Sequence, residues 1–116
     1  MAITSEIIGK LGGADVEVMP VEGAASGPSG SSTVLATIDV PAGETWLVAA
    51  IGQVSTGGSI STQWPELHLG DVQTPRAPRG THGLATTATE TISFSIKRTY
   101  SSGADSYTGH VYTVKL

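Results

Sequence analysis

The longest apolar run in the chain, WLVAAI at residues 46–51, follows the turn-like stretch Val40-Pro41-Ala42-Gly43. Side chains alternate across a strand. Read as a strand over residues 44–54, this stretch puts Trp46, Val48, Ala50, Gly52 and Val54 on one face and Leu47, Ala49, Ile51 and Gln53 on the other. Neither face is polar. Elsewhere the period of two is cleaner. Residues 33–40 place Val34, Ala36, Ile38 and Val40 opposite Leu35, Thr37 and Asp39, and residues 91–100 place Ile92, Phe94 and Ile96 opposite Ser93, Ser95 and Lys97. Weaker strands are predicted at residues 14–19, with Pro20 marking a strand end or sheet edge, at 60–69, where Trp64-Pro65 interrupts the pattern, and at 107–116.

Non-strand segments separate these runs. SEIIGKL, residues 5–11, offers Ser5 as an N-cap, an apolar set Ile7, Ile8 and Leu11, and Gly12-Gly13 as a stop, which predicts a short helix. Residues 22–32 and 74–83 are rich in Gly, Ser and Pro and read as a flexible loop and an extended arm. Val40–Gly43 fits a type I turn with Pro41 second and Gly43 fourth. The sum is an all-β protein: a single β-sandwich or jelly-roll-like domain of six to seven antiparallel strands at residues 14–116, preceded by a helical docking segment at residues 1–13. In a two-layer sandwich each strand gives one face to the core and one to water. The second face of residues 44–54 therefore either takes a cover, the N-terminal helix or a neighbouring subunit, or is left open with small residues such as Ala49 tolerating exposure.

Composition narrows the function. The chain has 116 residues and no cysteine, which excludes a disulfide scaffold and a Cys-based zinc site. Charged residues make up 14% against about 25% in an average domain, and a surface this poor in Lys and Glu fits either coverage by neighbouring subunits or the bias of a high-GC genome. A net charge of −4 argues against sequence-independent nucleic-acid binding. No basic leader, signal-length apolar stretch or membrane-spanning window is evident, so a protein made in a cytoplasm, with no membrane partner, is expected.

No stretch carries a recognisable catalytic motif. His68, His82 and His110 fall on different predicted elements, and Glu66 beside His68 with Asp71 beyond is spacing that any outward strand face shows. There is no G-x-S-x-G elbow or P-loop lysine, and the carboxylates are scattered singly. The expectation is a protein that is not an enzyme and uses no cofactor or metal. Arg76, Arg79 and His82 form the one local basic cluster and suit docking on an acidic neighbour. Trp64, beside Pro65, is the aromatic best placed for exposure.

With these elements in place, the segment STVLATIDVPAGETWLVAAIGQVSTGG resembles a pattern of small virion proteins of tailed bacteriophages, particularly those infecting actinobacteria: a strand, a V-P-A-G-x-T-W turn, an apolar strand and a Gly-rich break. Val40, Pro41, Ala42, Gly43, Thr45 and Trp46 carry the match. The resemblance implies a non-enzymatic structural component of the virion, a minor tail protein or alternatively a capsid decoration protein, made in the host bacterial cytoplasm. Its partners would be copies of itself and other virion proteins. Ile7, Ile8, Leu11, Leu47, Ile51, Arg76 and Arg79 are the expected assembly contacts. A carbohydrate-binding or host-adhesion module, recognising a surface glycan through Trp64, is the alternative from another class.

Overall fold

A computed structural model describes residues 16–56, 64–99 and 104–116. Eight antiparallel strands run through them: β1 (Glu17–Ser26), β2 (Ser32–Ile38), β3 (Trp46–Thr56), β4 (Glu66–Leu69), β5 (Val72–Thr74), β6 (Gly80–Ala88), β7 (Ile92–Lys97) and β8 (Ala104–Lys115). They form two four-stranded sheets, ordered β1-β8-β3-β6 and β2-β7-β4-β5. First pairs with eighth, second with seventh, third with sixth and fourth with fifth, so the chain is one nested hairpin rolled into two layers. This is the topology of a jelly roll.

The strand count is higher than the pattern predicts because β5 and β6 were hidden. β6 has Gly80, Gly83 and a run of threonines where a strand reader looks for large apolar residues, and its inward set is Leu84 and Ala88. β1 extends to Ser26, into the stretch expected to be loop. Pro20 lies inside β1, which is tolerated because β1 is an edge strand. The expected helix at residues 5–11, and with it Ile7, Ile8 and Leu11, lies outside the described residues.

The core is filled from both sheets. Val48, Ala50, Val54, Tyr107 and Val111 from the first meet Leu67, Leu69, Phe94 and Ile96 from the second. Phe94 and Tyr107 meet edge to face, with centroids 4.9 Å apart. Tyr107 has room only because its diagonal neighbour on β3 is Gly52: a Cβ at residue 52 would lie 2.6 Å from the Tyr107 Cζ and Oη. Burial, with a smaller repulsion from Tyr112, pushes the Tyr107 phenol up to about 12.

The turn before β3 sits one residue later than expected. Glu44 N–H donates to the Pro41 carbonyl at 3.1 Å, and Gly43 takes φ 83°. A left-handed residue in the third position defines a type II turn, so Pro41 opens the turn and Gly43 is required for its conformation, not for re-entry into the sheet.

Candidate assembly surface

β3 is flanked by β8 and β6, so its outer face lies mid-sheet. Register fixes what surrounds it. Leu47 pairs with Val114 and Thr87, Ala49 with Tyr112 and Ala85, and Ile51 with His110 and Gly83. β1 adds Val18 beside Tyr112 and Pro20 beside His110. Leu47 and Val114 are 3% and 1% exposed, yet neither belongs to the core between the sheets. Further along the same face Ile51 is 47% exposed and Val18 55%. Of the two β3 residues expected to meet a neighbour, Ile51 is thus available, whereas Leu47 is already buried within the chain and has little area left to give. Val18 and Tyr112 belong to the same block and were not singled out by sequence. Val18 lies 33 residues before Ile51 and Tyr112 lies 61 after it, and only the register brings them together.

The basic arm is not an extended projection. Ala77 is fully buried, its N–H donating to the Pro65 carbonyl at 3.0 Å, and β6 begins at Gly80. His82 Nε2 lies 2.6 Å from the Pro78 carbonyl oxygen, and Arg79 Nη2 donates to the Thr56 carbonyl at 3.3 Å. The Arg76 guanidinium lies over the Trp64 ring, 5.7 Å from its centroid. The connection is pinned at Ala77 while Arg76 and Arg79 remain exposed. Arg76 thus stands over one face of the Trp64 ring.

Two concavities lie at the opposite end of the sandwich. The larger, about 240 Å³, is bounded by Trp46, Met19 and Ile38 with the carboxylates Glu17 and Asp39 at its rim. The Trp46 indole N–H donates to Glu44 Oε1 at 2.9 Å, which orients the ring along the opening. The smaller is lined by Asp71, Glu90 and the threonines that end β6. His68 Nε2 lies 2.9 Å from Glu66 Oε1, but no group of three or more potential metal ligands gathers among the described residues. Arg98 and Asp105 are buried together, Nε to Oδ2 at 3.5 Å, and Arg98 Nη1 donates to the Gly27 carbonyl at 2.7 Å. This pair ties the end of β7 and the β1–β2 loop to the start of β8.

The architecture defines an antiparallel β-sandwich of the jelly-roll type. No known protein family and no curated protein matches the chain. Among solved structures it is similar to a de novo designed double-stranded β-helix, at 10% identity over 82% of this chain and 97% of that one, with a TM-score of 0.37. It is also similar to a carbohydrate-binding module of Cellvibrio mixtus lichenase 5A solved with cellotriose, at 11% identity over 89% of this chain and 88% of that one, with a TM-score of 0.39.

Proposed function

We propose that this chain is a non-enzymatic structural component of a tailed-bacteriophage virion, a minor tail protein, which assembles by burying the outer face of its first sheet against its neighbours. The observation that carries the reading is the block on that face where Ile51 and Val18 stand half-exposed beside Tyr112 and Ala49. A central strand with a solvated outer face normally carries polar side chains there. Burying the rest of Ile51 would contribute about 1 kcal/mol, and the low charge content keeps the desolvation cost of the surrounding area small. The virion setting is supported by the resemblance of the strand, V-P-A-G-E-T-W turn and apolar strand at residues 33–58. Jelly rolls serve in viral capsids and in lectins alike, so surface chemistry has to decide between such roles.

The test is a phage carrying Ile51→Asp. Purified particles should lose this protein, while the isolated variant unfolds within a few degrees of wild type because Ile51 lies outside the core. Unchanged incorporation would refute the reading. Immunogold labelling of wild-type particles then separates tail from capsid decoration.

A further inference from the structure

Strand register sorts the charged residues of this protein to opposite ends of the sandwich. β1, β3 and β7 begin, and β2, β4, β6 and β8 finish, at one end. That end carries Glu17, Asp39, Glu44, Asp71 and Glu90, facing one ammonium, Lys115, which lies 3.7 Å from Glu44. The other end carries Arg76, Arg79, Lys97 and Arg98. Of the carboxylates toward that end, Asp105 meets Arg98 in the interior and Glu66 meets His68, while Glu22 is exposed on β1 at the level of Gln53. Among the described residues, a sparsely charged chain thus has one end dominated by carboxylates and another that presents its exposed guanidinium groups.

The shapes match the charges. Arg76 and Arg79 are exposed on a connection held by the buried Ala77, so they are presented without much ordering to lose on contact. The acidic end has the 240 Å³ notch, with an indole on its wall and two carboxylates at its rim. A guanidinium finds there both of the partners it favours, a carboxylate for paired hydrogen bonds and an aromatic face.

We propose that copies of this chain stack end to end, with the Arg76–Arg79 connection of one copy seated on the Trp46 notch of the next. The contact is heterologous: the two surfaces differ, so each bound copy offers a fresh surface of the opposite kind. Such contacts close into rings or continue as filaments. The proposal deepens the assembly reading above and uses a surface that adjoins the sheet face at Val18 but does not include Ile51.

The experiment is sedimentation velocity on the full chain at about 50 mM and about 500 mM salt, with no other protein present. Stacking predicts association at the lower salt that weakens at least about tenfold at the higher, since the screening length falls from about 14 Å to about 4 Å over this range. Arg76→Glu/Arg79→Glu and Glu17→Lys/Asp39→Lys should each be monomeric with unchanged circular dichroism, because all four side chains are exposed. Mixed together, the two variants should associate again, their reversed ends being complementary. A wild-type chain that stays monomeric at low salt, association indifferent to salt, or a mixture that does not recover overturns the proposal. Monomeric behaviour of the purified chain with normal loss of Ile51→Asp from particles would overturn stacking and leave the sheet-face reading standing. Ile51→Asp that stacks normally and still enters particles would do the reverse.

Discussion

Gly52→Ala and Gly83→Ala make the same chemical change on adjacent strands and should have opposite effects. At residue 52 the new methyl would lie 2.6 Å from Tyr107 Cζ and Oη and 2.6 Å from the Thr108 carbonyl oxygen. The tyrosine ring is packed edge-on against Phe94 and the carbonyl belongs to the β8 backbone, so neither can retreat cheaply. Overpacking of this kind costs about 2–3 kcal/mol, which for a domain of this size lowers Tm by roughly 10–15 °C. At residue 83 the nearest atoms to the new methyl are Ile51 Cγ1 at 3.8 Å and the Ala50 carbonyl oxygen at 3.9 Å, ordinary contact distances. There the substitution mainly restricts the unfolded chain and should stabilise by about 0.4–1 kcal/mol. Thermal unfolding followed by circular dichroism reads both. Adding Tyr107→Phe to Gly52→Ala should not restore stability, because Cζ and the Thr108 carbonyl remain. A Gly52→Ala protein melting within about 2 °C of wild type, or two variants shifting together, would refute the packing account of the β3–β8 pair.

Tyr107 also sets an alkaline limit. Its folded-state pKa lies above the unfolded value, so the unfolded chain gives up the proton first. The stability this supplies is whole below pH 10 and is lost as pH climbs from about 10 toward 12, amounting to about 2–3 kcal/mol across that window. Denaturant melts at pH 9 and pH 11 should show the loss in wild type and a smaller one in Tyr107→Phe, whose removed hydroxyl has no hydrogen-bond partner to forfeit. Asp105→Ala leaves the Arg98 guanidinium buried without this carboxylate, and a loss of about 3–5 kcal/mol is expected from urea unfolding. Asp105→Asn should fall between that variant and wild type.

The sandwich class was legible because Phe94, Ile96, Val48 and Val54 obey the period of two that a half-buried strand demands. β6 was not, since its burial depends on Leu84 and Ala88 alone, and its glycines and threonines carry no periodic signal. Pro75 and Pro78 looked like a free arm because proline content reports the absence of regular hydrogen bonding, not the absence of packing. Ala77, buried beside Pro65, makes the difference. The two-faced character of residues 46–51 was visible at once, but its division into a buried pair, Leu47 with Val114, and an open block around Ile51 required the register. The charge polarity was beyond reach in sequence, where Arg76 and Asp71 are near neighbours; the β4–β5 and β5–β6 connections send them to opposite ends.

The nested pairing has a consequence during synthesis. β1 leaves the ribosome first, yet its partner β8 begins 78 residues after β1 ends, a delay of roughly 4–16 s at ordinary elongation rates. Through that interval β1 is an unpaired strand carrying Val18, Met19 and Val21, composed of the material from which intermolecular sheets grow. Glu17, Pro20 and Glu22 interrupt it over residues 17–22. In the finished protein they mark a sheet edge; on the nascent chain they serve as gatekeepers that hold the first strand out of aggregation until the last strand arrives.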